Sequence, residues 1–390
     1  MSAAGQEAGP AGHRQFADLG DLPLELGGVL PGLTVAYETW GTPAPDRTNA
    51  VLVLHALTGD SHVAGPAGEG HPTPGWWDAV VGPGKPLDTD RWWVVAPNVL
   101  GGCRGTTGPA SRRSDGSVWG SRFPRTTIRD QVAAEALLAD ALGIGRWAAV
   151  LGGSMGGMRS LEWAVSRPER VGAALVLAVG AATSADQVAL GSVQRRAIAV
   201  DPAWQSGDYH DTGTRPEHGL ALARQIAHLT YRSEQELALR FGRSPQGDED
   251  PLLGGRFAVE SYLQHHGSKL VGRFDAASYV ALTSAMDTHD VGRGRGGVAR
   301  ALSQVPVPTV VGGVDSDRLY PLAQQEEIAR LLPHADGLHV VTSPYGHDAF
   351  LIEAEQVGRL VERTLSHART SGASGRMGVD GGQRVESRGQ

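Results

Sequence analysis

The run Val150-Leu151-Gly152-Gly153-Ser154-Met155-Gly156-Gly157-Met158 constrains this chain more than any other segment. It places a serine within Gly-x-Ser-x-Gly, between an apolar stretch at residues 146–151 and a helical pattern over residues 158–165. In a strand–turn–helix context such a serine sits on a tight, strained turn with its hydroxyl exposed above a sheet. Gly152 and Gly156 belong there because a Cβ at either position meets the facing strand or helix. The helix that follows aims its free amides at the same spot, which favours a developing negative charge. A flexible Gly/Ser loop shares these letters. A linker serine, however, would not stand between two apolar elements, and Leu161, Trp163, Ala164 and Val165 give the helix a packing face.

Further apolar runs lie at residues 49–54, 92–97, 173–179, 308–314 and 337–341, and a helical pattern covers residues 128–142. Strands alternating with helices predict an α/β fold, with a mostly parallel central sheet and helices on both faces. The alternation breaks once. Residues 182–304 read as helical and polar-rich, without strand runs, and the sheet resumes afterwards. An insertion there forms an inserted helical lid over the strand C-termini, where such sheets bind ligands. The core then comprises residues 15–181 and 305–367. Residues 1–14 and 368–390, rich in Gly and small or polar residues, are expected to be disordered. No internal repeat is visible.

Composition narrows the function. A net charge of −7 and no dense basic cluster argue against nucleic acid as a partner. With 41% apolar residues among 390, the chain can bury a large core. Cys103 is the single cysteine, so no intramolecular disulfide forms and a reducing compartment is expected. A lone cysteine reads as a small packed side chain. There is no basic-then-apolar leader and no apolar stretch of about 20 residues, so a soluble, cytoplasmic protein without membrane contact is expected.

A serine hydroxyl needs a base, and the base needs an orienting carboxylate. In chain order the acid follows the nucleophile and the histidine comes last, after the final strand. His347 stands there. His334 falls in a helix-to-strand loop and His339 inside a strand. The acid should end the strand at 308–314; Asp315 and Asp317 both qualify by position. The oxyanion requires two backbone donors, assigned to Met155 N–H and to Leu57 N–H in the loop at residues 55–62. A metal reading of His55 and His62 is rejected because no third ligand stands at useful spacing, which leaves structural hydrogen bonding for both.

With these residues in view the chain resembles the homoserine O-acetyltransferases of the α/β-hydrolase superfamily. The resemblance is carried by HALTGDSH at residues 55–62, NVLGGCRGTTGP at 98–109, GGSMGGM at 152–158, YLQHHGSKL at 262–270, RFDAASY at 273–279, DSDRLYP at 315–321 and YGHD at 345–348. It implies an α/β-hydrolase fold with Ser154, Asp317 and His347 as the triad, and Arg224 and Asp348 as ligands of an amino-acid acceptor. A zwitterion entering an apolar pocket needs such a cation and anion. The resemblance also implies acetyl transfer from acetyl-CoA to L-homoserine through an acyl-serine. The product is O-acetyl-L-homoserine, for methionine biosynthesis. It implies no cofactor besides acetyl-CoA as co-substrate, and a homodimer built through the lid helices. Succinyl-CoA as donor, serine as acceptor, a plain esterase and a non-catalytic binder are the alternatives.

Overall fold

The apolar runs become neighbouring strands of one sheet because successive side chains point to opposite faces and both faces are covered. The structure, a computed structural model, describes residues 12–374. The strands of its main sheet are β1 (Gln15–Pro23), β2 (Val29–Trp40), β3 (Ala50–Leu54), β4 (Trp93–Pro97), β5 (Ala149–Gly153), β6 (Ala174–Leu177), β7 (Thr309–Val314) and β8 (Ala335–Val341). They lie in the order β1-β2-β4-β3-β5-β6-β7-β8. β2 pairs antiparallel with β1 and with β4, and all other pairs are parallel. The strands β3 to β8 match the runs read from the sequence.

The α-helices longer than four residues are α1 (Ile128–Ala141), α2 (Met155–Ser166), α3 (Ala185–Ala199), α4 (Glu217–Tyr231), α5 (Glu234–Phe241), α6 (Ala258–Val271), α7 (Ala276–Asp287), α8 (Val298–Ser303), α9 (Leu322–Leu331) and α10 (Ala354–Ser374). Leu52, Leu54, Val150 and Val176 face α1 and α2, where Val132, Leu138, Leu161 and Trp163 complete one core. Val51, Val53, Leu151 and Leu175 face the opposite way, against Val357, Leu360, Val361 and Leu365 of α10. Helix α1 starts on a capping box: Thr127 and Asp130 each satisfy the other's backbone N–H. Between β6 and β7 the chain leaves the sheet as helices α3 to α8, with α3 packed on α4 and α7, and α4 packed on α6.

Three features differ from the sequence expectation. The edge hairpin β1–β2 was not read. β1 alternates buried and exposed residues, and its register shifts on both sides of Gly20, so no apolar run announces it. Residues 12–14 are attached rather than disordered: Gly12 N–H donates to Thr39 O at 3.0 Å, and Arg14 lies 3.8 Å from Glu38. At the other end α10 continues to Ser374, past the expected boundary at 367. The rest of both expected tails, residues 1–11 and 375–390, lies outside the described residues. Among the described residues no helix is long and apolar enough to cross a membrane.

One buried ion pair binds the layers together. Arg159 of α2 donates to Glu135 of α1 at 2.6 Å, and Glu135 also accepts Trp163 Nε1–H at 2.7 Å. The other arm of Arg159 donates to His55 O, at the end of β3. Removing one partner of such a pair strands a charge in the core. Arg159→Met is therefore expected to cost about 3–5 kcal/mol. Arg159→Met with Glu135→Leu should lose less than the single change, as read from urea denaturation midpoints.

Candidate active site

Ser154 joins β5 to α2 with φ 56° and ψ −126°, a conformation that a side chain other than glycine's adopts only under constraint. The constraint is close packing. A Cβ on Gly152 would lie 2.1 Å from Gly156 O, and one on Gly156 would lie 2.1 Å from Leu54 O. The absence of side chains at these two positions lets α2 press against its own strand and against the end of β3. Met155 opens α2, so its N–H has no acceptor one turn back.

His347 Nε2 lies 2.8 Å from Ser154 Oγ, and its Nδ1 lies 2.6 Å from Asp317 Oδ2. The other oxygen of Asp317 accepts Leu319 N–H and Tyr320 N–H at 2.8 and 2.9 Å. Of the two candidate acids, Asp317 therefore reaches the histidine. Asp315 instead accepts Ser343 N–H at 3.0 Å, while Ser316 Oγ accepts Gly346 N–H at 3.0 Å and donates to Ser343 O. These bonds tie the end of β7 to the loop after β8 and hold His347 in place. His334 is exposed, and His339 pairs with Asp336 at 2.8 Å on β8; neither approaches Ser154. Burial pulls the His347 imidazolium down, but the charge and hydrogen bond of Asp317 outweigh it, and His347 titrates above the ordinary imidazole value. Tyr320, Phe350 and Tyr231 surround the ring at centroid distances of 5.1, 5.4 and 5.9 Å.

The loop after β3 carries Leu57. Gly59 N–H donates to Ala56 O at 2.9 Å, a turn in which the N–H of Leu57, its second residue, takes no part. His55 has the structural role expected of it. Its Nε2 accepts Val99 N–H at 3.0 Å and its Nδ1 faces Ala56 O at 2.7 Å. Burial, reinforced by Arg159, pulls it down to about 3.

His62 corrects the ground on which a metal was rejected. Glu38 of β2 and His71 both approach it, with ligand atoms within 4.8 Å of one another, so neighbours with ligand chemistry do exist. The His62 and His71 rings are stacked, with centroids 3.8 Å apart and planes 10° from parallel. A metal must lie near the plane of each imidazole it binds, and stacked rings share no such point. Glu38 also accepts Ser61 Oγ–H at 2.6 Å. The cluster as arranged anchors the loop that carries Leu57.

On the lid side, Arg224 of α4 donates to Thr58 Oγ1 at 3.3 Å and lies over the Tyr231 ring at 5.2 Å. Asp348 does not touch Arg224. It lies 3.2 Å from Nε of Arg232, a residue that the sequence reading did not single out. Burial pushes the Asp348 carboxyl up, while Arg232, Arg224 and His347 oppose that shift. Arg232 follows the last turn of α4, and no motif marks it. Ser233 Oγ–H donates to Pro344 O, which fastens the lid to the histidine loop. A cavity of about 50 Å³, lined by Leu57, Tyr231, Leu319 and Tyr320 together with Gln187 and Thr283 of the lid, lies beside these residues. Cys103 takes no part: it accepts Asp275 N–H at 3.4 Å, and burial pushes its thiol up to about 11.

A nucleophile, a base and an orienting acid in hydrogen-bond contact, with two free amides at the strand ends, can perform acyl transfer through a tetrahedral oxyanion. Residues 49–354 match the family described as alpha/beta hydrolase fold. A homoserine O-acetyltransferase of Mycolicibacterium smegmatis is 61% identical over 358 residues, covering 92% of this chain and 94% of the relative. Among solved structures, the homoserine O-acetyltransferase of Bacillus anthracis superposes with a TM-score of 0.83 at 25% identity, covering 90% of this chain and 97% of that one. Esterase E22 superposes with a TM-score of 0.82 at 24% identity, covering 90% and 99%, which speaks for the fold alone.

The site fixes a pH response. His347 must be neutral to take the Ser154 proton, so reactivity rises with pH through a pKa held above the usual value. Labelling of Ser154 by a fluorophosphonate should therefore reach half its maximal rate above about pH 6.5. Asp317→Asn should move that midpoint down and slow labelling; a wild-type midpoint at or below 6.5 contradicts the assignment.

Proposed function

This chain belongs to the homoserine O-acetyltransferases of the α/β-hydrolase fold and transfers an acetyl group to homoserine for methionine biosynthesis; we propose that acetyl-CoA is the donor and that Ser154, Asp317 and His347 carry the group by a ping-pong route. The observation that carries this reading is the chain of hydrogen bonds Asp317–His347–Ser154, at 2.6 and 2.8 Å. His347 takes the Ser154 proton as Oγ attacks the thioester carbonyl. The amides of Leu57 and Met155 hold the oxyanion. His347 then protonates the departing CoA sulfur, leaving acetyl-Ser154. Homoserine enters with its carboxylate towards Arg224 and its ammonium towards Asp348. His347 removes the hydroxyl proton, the second oxyanion forms in the same place, and O-acetylhomoserine leaves as the proton returns to Ser154.

Two features support acetyl transfer in preference to succinyl transfer or hydrolysis. Among the described residues that line the cavity beside Leu57 none is cationic, so the carboxylate of a succinyl group would find no partner in that lining. Tyr231, Tyr320 and Phe350 around His347, with the lid above, limit water at the acyl-enzyme. We further propose that the enzyme works in the cytoplasm as a homodimer built on the lid. Val193 of α3, Val200 just after it, and Leu222 and Leu229 of α4 are between 43% and 72% exposed, apolar surface that a partner would cover.

The decisive measurement crosses acetyl-CoA and succinyl-CoA with homoserine and serine. Acetyl-CoA with homoserine should give the highest kcat/KM, with parallel double-reciprocal lines; converging lines overturn the acyl-enzyme route. Ser154→Ala should lose about 10⁶-fold in kcat. Arg224→Ala should raise the homoserine KM at least about tenfold, the worth of one charge-assisted hydrogen bond, and change the CoA burst far less. Light scattering should report a dimer that Leu222→Glu weakens.

A further inference from the structure

A cavity of about 360 Å³ opens where the loop after β4 meets the segment ahead of α4 and the turn between α6 and α7. Its size falls within the range of small-molecule sites. Its charge is the opposite of the chain's net −7. Arg104, Arg112, Arg215 and Arg273 line it, with Asp211 and Asp275 the only acids among the lining residues.

Both acids are already engaged. Asp275 caps α7 by accepting Ser278 N–H at 2.8 Å, accepts the Tyr209 hydroxyl and meets His210 Nε2 at 3.0 Å. Asp211 pairs at the mouth with Arg112 at 3.5 Å. The arginines are less satisfied. Nε and Nη2 of Arg104 are buried without a hydrogen-bond partner, and the nearest carboxylate, Asp60, is 4.0 Å away. Arg273 spends one Nη1 bond on Thr58 O at 2.7 Å. It is half-buried beside Arg224 and Arg104, and desolvation first, then their charges, pull its guanidinium down to about 10. Arg215 stands exposed at the rim. Two buried donors of Arg104 without acceptors, in a cavity that Arg273 and Arg215 also line, call for an anion that planar forks can grip.

The position ties this cavity to the reaction. Thr58 follows Leu57, the proposed oxyanion donor. Its carbonyl accepts from Arg273 in the cavity wall, and its hydroxyl accepts from Arg224 on α4. A second cavity of about 340 Å³ shares Val118, His210 and Asp211 with the first and adds Arg122 and Asp208, so the groove continues outward while the excess of arginine stays in the first cavity.

We propose that this cavity is the phosphate subsite of the acyl donor: Arg104 and Arg273, with Arg215 at the rim, hold phosphate groups of the CoA nucleotide while its thioester reaches Ser154. The inference rests on acetyl-CoA being the donor and names the residues that tell CoA from a shorter thioester. Arg273 couples the two ends, because the guanidinium that faces the phosphates also holds the residue next to Leu57.

The test compares acetyl-CoA with S-acetylpantetheine, which has the same thioester and no phosphate, using homoserine as acceptor. The readout is the ratio of their kcat/KM values in wild type, Arg104→Ala and Arg215→Ala. Wild type should favour acetyl-CoA, and each variant should lower the ratio about tenfold, the worth of one charge-assisted hydrogen bond. Equal losses on both donors, or an unchanged ratio, overturn the proposal. Arg215 is exposed, so its variant keeps the test readable should Arg104→Ala misfold. Calorimetric titration with 3′,5′-ADP and with inorganic phosphate reads the subsite apart from the reaction. Binding of 3′,5′-ADP that Arg215→Ala weakens supports the subsite; equal binding of both anions, or binding that neither variant changes, counts against it. Should wild type use neither thioester, the donor reading fails, and the titration still decides whether the cavity takes a nucleotide phosphate.

Discussion

Everything at this site is placed relative to the turn at Ser154. Holding a serine at φ 56° costs on the order of 1–3 kcal/mol, and it persists because close packing leaves no room to relax. β5 is buried along its whole length, and α2 lies near enough to β3 that a Cβ on Gly156 would sit 2.1 Å from Leu54 O. Relaxing the turn would separate a helix from two central strands. The same approach that strains the serine brings the start of α2, with Met155 N–H, beside the end of β3 and the loop that carries Leu57. Strain, exposure of the nucleophile and convergence of the amides therefore have one cause.

That loop needs anchoring, since an oxyanion donor placed a fraction of an ångström away loses much of its effect. Buried polar groups supply the anchors. Arg159 holds His55 O, Val99 N–H holds the His55 ring, and Glu38 holds the Ser61 hydroxyl, while Asn98 accepts Ser61 N–H at 2.8 Å. Removing one partner of any of these pairs leaves another polar group unsatisfied in the core, so each holds geometry more firmly than an apolar contact could. The Glu38–His62–His71 stack belongs to this framework.

The lid adds recognition to this chemistry. Asp348 next to His347 already faces Arg232, so in the proposed reaction an incoming ammonium would share the carboxylate with a guanidinium. Arg232 also opposes the burial that pushes Asp348 up, which favours the charged form that an ammonium requires. Arg224 and Arg273 grip Thr58 through different atoms, which links the lid and the α6–α7 turn to the residue after Leu57. The triad does not need these arginines, and in the proposed function they serve the selection of substrates.

Much of this was legible in the sequence because it depends on local rules. Wholly buried parallel strands read as continuous apolar runs. The turn at Ser154 shows in its glycines, and His347 is set by coming after the last strand. The edge hairpin was not legible, since β1 alternates buried and exposed residues around a bulge and β2 opens on a largely exposed stretch with Pro31 and Gly32. Nor did spacing alone separate Asp315 from Asp317. Two residues apart, they diverge only because one carboxylate meets Ser343 N–H and the other meets His347. Arg232, Glu38 and the cavity of arginines are likewise invisible along the chain, because each is made by segments tens to hundreds of residues apart. The sequence by itself determined the α/β sheet, the strained serine and the family. Tertiary structure alone decided which acid faces the histidine, which arginine shares Asp348 and where arginines gather around one cavity, because hydrogen bonds and ion pairs depend on distances in space that sequence separation does not set.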